Sequence, residues 1–403
     1  MTILEQTMSA ADRAAIRAPI AEATTFPAEA YTNSSFFALE LDKVFCQRWA
    51  AMVFEDQIPK VGDAIPFSDF GIPLFAVRGI DQVIRVFHNI CAYDGCEVVM
   101  QQVKGLDYLR VGYHGWRYDL AGQLIATPYW DGASDSDVAA VPSRARNLVE
   151  VSSGTYGGVV FINVSGQAGP FQEFIEPLKC LSPHYDLDQL SVSRDRNGDP
   201  WIIDVGEAGV TRANWKSIVE NDCLNILHEG HTHELYRQSP DVPRVGDDRD
   251  PKFEWLIDGA LIAFGYEEDD VPDTYGIDDS VPHVGADPDV RPPTGYFVQV
   301  YPNLSIVLHP QFTSLNILAP LAVDKTGMIG TFRMGEASGG PEAFGSMLAM
   351  AAALEETLIE DATVLESVQR SRTSPLAGRH FYAPFWDFGH YRLNQLVLDD
   401  LEA

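Results

Sequence analysis

The chain has 403 residues, 46% of them hydrophobic and 21% charged, enough for two domains with substantial cores and an ordinary globular balance. Its 28 basic and 58 acidic residues leave a formal charge of −30, a field that opposes nucleic acid and anionic membranes. Five scattered cysteines give no disulfide framework, no basic-then-apolar leader opens the chain, and no run reaches the ~18 apolar residues of a membrane span, so the expected location is cytoplasmic.

Residues 1–37 are Ala-rich, with helix expected first and then a loop through Thr24-Thr25-Phe26-Pro27. Ser35–Trp49 reads as a helix with Phe36, Leu39, Leu41, Val44 and Phe45 on one side and Glu40 and Asp42 away from it. From Ala51 to about Val164, short apolar runs such as Pro73–Val77, Val83–Phe87 and Val159–Val164 are separated by Gly, Asp and Pro, a β-rich pattern. Acidic, Pro-containing loops fall at Asp131–Asp137 and Asp269–Pro288. The second either borders a substrate pocket or is a solvated surface loop. Tyr296–Val300, Ser305–Leu308, Asn316–Ala319 and Met328–Arg333 read as strands. Pro341–Arg370 reads as one long helix with Asp361 near its end, and the amphipathic segment His390–Leu401 closes the chain.

The stretch Asn214–His233, NWKSIVENDCLNILHEGHTH, carries the strongest chemical signal. His228 and His233 are five residues apart, which on a straight helix leaves their side chains ~140° apart. With Gly230 between them, the helix is predicted to end near His228 and the chain to turn back and bring His233 alongside. Two converging imidazoles and a distant carboxylate form the facial triad typical of non-haem Fe(II), with positions left for oxygen and substrate.

Asn214-Trp215-Lys216, Glu220-Asn221, His228 and His233 together resemble the iron-binding motif of Rieske-type ring-hydroxylating oxygenase catalytic (alpha) subunits. That family takes its third ligand from a helical E-D-x4-E-x2-Q pattern, which Glu360-Asp361, Glu366 and Gln369 match. The resemblance runs from about Phe26 to near the C-terminus. It implies mononuclear Fe(II) on His228, His233 and Asp361. It also implies an α+β fold: an N-terminal helical segment (1–37), a Rieske-like β-domain (38–165), and a helix-grip catalytic domain (166–403) whose curved antiparallel sheet surrounds a long helix.

Where the family carries C-x-H-R-G and C-x2-H-G-W, this chain reads Cys91-Ala92-Tyr93-Asp94-Gly95 and Val111-Gly112-Tyr113-His114-Gly115-Trp116. Tyr93 stands in place of a histidine and Val111 in place of a cysteine, so Cys91 and His114 are the remnants of a four-ligand 2Fe–2S site. The cluster is expected to be absent. A substitute set of His88, Cys91, Cys96 and His114 would need Cys96 to swing past a Gly turn into a pocket built for another loop, and is disfavoured. A third departure is Asn225, where the family has an aspartate linking the first iron histidine to a cluster histidine of the neighbouring subunit. An amide makes a weaker, uncharged bridge.

The resemblance therefore implies O2-dependent hydroxylation of an apolar aromatic or polycyclic small molecule at Fe(II), with Asn221 and Asn225 as candidate catalytic side chains. Electrons would come from a paralogous subunit with an intact Rieske cluster, or from a ferredoxin or Rieske-bearing reductase. The alternative is a catalytically silent subunit that stabilises a hetero-oligomer, and a hydrophobic-ligand binding protein ranks third. Of the remaining candidates, His231 could line the pocket or face solvent. Cys223, His309 and the cluster Phe381, Tyr382, Phe385 and Trp386 read as core.

Overall fold

The structure, a computed structural model, describes residues 2–142, 147–181, 184–194, 198–204, 210–234, 253–267, 283–284, 287, 290–334 and 341–403. The loop expected to border the substrate pocket, Asp269–Pro288, lies outside the described residues except for His283, Val284 and Asp287. The chain divides into two compact units, Cys46–Phe171 and Met1–Phe45 with Gln172–Ala403, where the sequence places the boundaries at 38 and 165.

The larger unit begins with helices α1 (Ile3–Thr7) and α2 (Ala10–Ile16), each started by a capping box, Thr2 with Glu5 and Ser9 with Asp12. Asn33 caps α3 (Ser34–Glu40) by accepting from the Ser35 and Phe36 amides, and a π-helical turn, Leu41–Phe45, continues it. Within α3, Glu40 lies four residues after the buried Phe36 and shares its face, so the expectation for Glu40 fails. Glu40 is fully buried, with Lys216 Nζ 2.5 Å from one carboxylate oxygen and Trp215 Nε1 donating to the other at 3.0 Å.

The smaller unit is all β, as the alternation of short apolar runs and breakers requires. Strands β1 (Ala50–Phe54), β2 (Ala64–Phe67), β3 (Leu74–Arg78), β4 (Ile84–His88), β8 (Glu150–Tyr156) and β9 (Val159–Asn163) form an antiparallel sheet in the order β1-β9-β8-β4-β3-β2. The short strands β5 (Leu109–Arg110), β6 (Arg117–Tyr118) and β7 (Leu124–Ala126) form a second sheet. Gly157 and Gly158 turn β8 into β9, both at positive φ (57° and 74°), the geometry of a two-residue turn that matches strand twist.

Helix α4 (Phe171–Cys180) leads back into the larger unit. There, β10 (Ser191–Val192), β11 (Ile202–Asp204), β12 (Phe253–Asp258), β13 (Leu261–Glu267), β14 (Thr294–Val300), β15 (Leu304–His309), β16 (Phe312–Ala322) and β17 (Lys325–Met334) build a curled antiparallel sheet. Its order is β10-β17-β16-β15-β14-β13-β12, with β11 also on β17 and a bulge at Pro320/Ala322. The four strands read from the sequence are β14 to β17.

Helices α5 (Trp215–Asp222), α6 (Glu229–Thr232), α7 (Pro341–Ser371) and α8 (Phe388–Glu402) complete this unit. Gln369 locks α7 to the start of α5: its amide oxygen accepts from the Asn214 N–H at 3.2 Å and its Nε2 donates to the Tyr31 carbonyl at 2.9 Å. Arg17 fastens the N-terminal segment to α8 through Asp399 and Glu402, at 2.6 and 2.7 Å. Among the described residues no helix is long and apolar enough to cross a membrane.

Candidate metal centre

The turn from α5 to His233 differs from its prediction. Asn214 caps α5 by accepting from the Lys216 amide, and the helix ends at Asp222, six residues before His228. His228 closes a 3-10 turn (Ile226–His228), and Gly230 lies inside α6 rather than at a break. A tighter turn followed by a new helix cancels the ~140° phase difference that a straight helix would impose. His233 is the residue next after α6 and is 2% exposed. Asp361 sits about three turns before α7 ends rather than near its end.

The structure brings these three side chains together. His228 Nε2 lies 3.2 Å from His233 Nε2 and 3.2 Å from Asp361 Oδ1, and His233 Nε2 lies 3.5 Å from Asp361 Oδ1. The partners on the far side of each ring decide what these contacts are. His228 Nδ1 meets the Asn225 carbonyl, which can only accept, and His233 Nδ1 lies 3.0 Å from Glu360 Oε2. Both Nδ1 atoms are therefore donors, and in the neutral rings both Nε2 atoms carry lone pairs. Two such nitrogens and a carboxylate oxygen, Asp361 Oδ1, which has no hydrogen-bond donor, face one another. Lone pairs packed in this way repel unless a cation sits among them.

The spacing fits an ion. Ligand atoms about 2.1 Å from a metal are ~3.0 Å apart at right angles and ~3.4 Å apart at tetrahedral angles. Among the described residues, these three are the only group of three or more metal-capable side chains whose ligand atoms converge, all within 4.8 Å. The substitute set of His88, Cys91, Cys96 and His114 does not assemble. His231 is exposed, one of the two readings given for it.

Asn225 contributes its backbone carbonyl to His228 rather than its side chain. Asn221 is buried and lines a cavity of about 810 Å³ that also includes Asp361 in its wall. The wall is mostly aliphatic, with Ile202 and Ile203 of β11, Ile218 of α5, Leu318 of β16 and Met328 of β17. Two site residues went unread in the sequence. Glu360 belongs to the E-D-x4-E-x2-Q pattern, which says nothing of its bond to His233, and Asp222, which also lines the cavity, carries no sequence signal. Cys223, His309 and Tyr382 are core, but Phe381 and Phe385, expected as core, are 83% and 38% exposed.

In the smaller unit, the two remnant loops are built alike. Each closes on itself through a pair of backbone bonds: Cys91 N to Cys96 O and Gly95 N to Cys91 O in one, Val111 N to Trp116 O and Gly115 N to Val111 O in the other. Gly95 and Gly115 take matching positive φ of 73° and 74°. The side chains present do not make a cluster site. Val111 is fully buried and apolar, and the buried Cys91 sulfur lies 3.6 Å from the Tyr118 hydroxyl. His114 Nδ1 pairs with Asp94 at 2.6 Å, and Tyr93 stacks on Trp116 at 5.1 Å with the rings 11° apart. Burial pushes the Cys91 thiol above its ordinary range, which opposes the thiolate that iron needs.

A family profile described as "Ring hydroxylating alpha subunit (catalytic domain)" matches residues 192–402. The chain belongs to this family. A second profile, the Rieske 2Fe-2S domain, matches residues 48–142. Relatives include the carnitine monooxygenase oxygenase subunit of Escherichia coli K12, 28% identical over 55% of this chain and 56% of that protein. The benzene 1,2-dioxygenase subunit alpha of Pseudomonas putida is 28% identical over 51% of this chain and 43% of that protein. The match thus spans about half the length of these relatives.

Among solved structures, the fold resembles a quaternary ammonium Rieske monooxygenase (TM-score 0.75, 19% identity, 96% of this chain and 98% of that one). It also resembles naphthalene 1,2-dioxygenase from Rhodococcus sp. (TM-score 0.74, 20% identity, 99% and 98%). The α+β fold expected from the resemblance, a Rieske domain with a catalytic domain built on a curled antiparallel sheet, is the fold of this family.

Proposed function

We propose that His228, His233 and Asp361 hold one Fe(II) and that the chain hydroxylates a small, mostly apolar molecule with O2. The observation that carries this reading is the meeting of three lone-pair donors, the two imidazoles each held in place on the far side and the carboxylate oxygen supplied with no donor in return. Bound Fe(II) would supply oxygen activation. The Asn225 carbonyl and Glu360 fix the two imidazoles with Nε2 inward, and Asp361 adds a negative charge among them. The aliphatic wall excludes water and takes the substrate's apolar body, and Asn221 offers it an amide for hydrogen bonding.

The relatives' names point to two substrate classes, aromatic hydrocarbons and quaternary ammonium compounds. The aliphatic wall favours an apolar, aromatic or polycyclic body. We further propose that the chain carries no 2Fe–2S cluster. Electrons for the iron then come from a related subunit with an intact cluster in a mixed assembly, or from a ferredoxin or Rieske-bearing reductase. Inter-subunit electron transfer is described for a quaternary ammonium Rieske monooxygenase of similar fold. None of these relatives supports a silent subunit.

The test is turnover by the purified chain alone, and with its cluster-bearing paralogue, each with reductase present. Hydroxylation should require the paralogue and should fall when this chain's Asp361 is replaced by alanine. Robust turnover by the chain alone with a simple ferredoxin would refute the electron-supply reading.

A further inference from the structure

One group in the cavity wall has no role in holding the metal. Asp222 ends α5, lines the cavity with Asp361, and encloses its Oδ2 without a hydrogen-bond partner. Its surroundings are largely aliphatic, and a carboxylate in such a wall is destabilising unless something pairs with it. Nothing in the wall does so: among the described residues no Lys, Arg or His lines the cavity, and the other ionisable groups there are acidic. Of these, Asp361 faces the two imidazoles, Glu366 accepts the Arg212 amide at 3.2 Å, and Glu355 is exposed. Apart from Asp361 Oδ1, which faces the imidazoles, Asp222 Oδ2 is the enclosed carboxylate oxygen of the described wall that no donor reaches.

We infer that Asp222 is the specificity-determining residue of this cavity and receives the N–H of a protonated amine carried on an apolar body. The inference rests on the cavity being the substrate site proposed above. Three chemical classes fit less well. An anionic substrate would enter a wall whose ionisable groups are all acidic. A plain hydrocarbon would bury Asp222 beside it still unpaired. A quaternary ammonium has no N–H to give and is best held by several aromatic faces, whereas Trp201 is the single aromatic side chain of the described wall. A protonated amine makes a charge-assisted hydrogen bond, shorter and stronger than a neutral one. The state of Asp222 agrees. Burial, with the Asp361 charge adding to it and Ser305 and His228 opposing, pushes its carboxyl up to about 6.

The experiment uses the full chain and three probes of common shape: phenylbutylamine, its trimethylammonium derivative and phenylbutanol. Each is titrated calorimetrically with and without anaerobic Fe(II), against the parent and Asp222→Asn, which keeps the side-chain volume. The amine should bind the parent about tenfold or more tightly than either analogue. Asp222→Asn should erase that preference by weakening the amine and leaving the alcohol unchanged. Equal binding of the three probes by the parent, no amine binding at all, or an amine affinity untouched by Asp222→Asn would each overturn the inference. The parent series decides the matter even if the variant does not fold. A chain that fails to take up Fe(II) yet keeps its Asp222-dependent amine preference would sink the oxygenase reading and leave this one standing.

Discussion

Glu360 and Asp361, adjacent on α7, address the two sides of one imidazole. Asp361 Oδ1 lies 3.5 Å from His233 Nε2, and Glu360 Oε2 lies 3.0 Å from His233 Nδ1. Glu360 Oε1 also accepts from the Glu234 amide at 3.3 Å, so one carboxylate holds both the ring and the backbone just beyond it. Successive helix residues diverge by ~100°, which lets the pair straddle the ring instead of competing for one nitrogen.

Removing that outer carboxylate should loosen the ring without removing a ligand. Glu360→Ala is expected to weaken Fe(II) or Co(II) binding about 10- to 100-fold, the usual effect of losing an outer partner of a metal-bound histidine. Glu360→Gln keeps an acceptor oxygen and should lose less. Anaerobic titration with Co(II), followed by its visible spectrum, reads both variants, and parent-like affinity in Glu360→Ala would show that the contact orients nothing.

The triad itself makes a sharper prediction. The chain should bind one Fe(II), and His228→Ala should abolish binding, because two remaining ligands rarely hold a divalent ion tightly. Metal analysis after anaerobic loading and desalting measures this. Iron retained by a variant lacking all three side chains would place the centre elsewhere.

Acid-labile sulfide and the reduced-state electron paramagnetic resonance spectrum test the smaller unit. No Rieske-type signal and negligible sulfide are expected, since Tyr93 and Val111 remove a nitrogen and a sulfur ligand. Tyr93→His with Val111→Cys should still fail to take up a cluster while Asp94 holds the His114 ring at 2.6 Å. Adding Asp94→Arg frees that ring. Cluster assembly by the double variant alone would show that the Asp94 pairing is no obstacle.

Glu220 predicts a pH effect on stability. Burial works to raise its carboxyl, but His390, with Nε2 3.3 Å from Oε1, the charge of Arg372 and the Tyr31 hydroxyl at 2.6 Å outweigh it and hold the pKa at about 2. A carboxylate depressed from its ordinary 4.5 stabilises the fold fully above that value and loses its contribution as pH falls towards about 2. Across that window the parent should lose roughly 3 kcal/mol more than Glu220→Gln. Urea unfolding at a series of pH values gives the two curves, and parallel curves would contradict the assignment.

The local patterns were legible because they depend on short-range chemistry. Alternating apolar runs announced β3, β4, β9 and β14 to β17, and the Ala- and Leu-rich run from Pro341 announced α7. The three side chains that converge, His228, His233 and Asp361, were legible through a motif whose spacing survives in the chain. That Tyr93 and Val111 offer neither an imidazole nor a thiolate was equally plain, because a side chain's ability to bind iron belongs to its own chemistry.

What only the tertiary structure decided is which groups stand behind and beside these residues. Glu40, a carboxylate expected away from the apolar side, is buried where Lys216 and Trp215, 176 and 175 positions away, reach it. Asn225 acts on His228 through its backbone carbonyl, which no residue identity encodes, and Glu360 meets His233 across 127 positions. Asp222 looks like any helix-terminal carboxylate until β11, β16, β17 and α7 close an apolar wall around it. Hydrogen bonds and desolvation act over a few ångströms of space, and a sequence specifies those neighbours only through the completed fold.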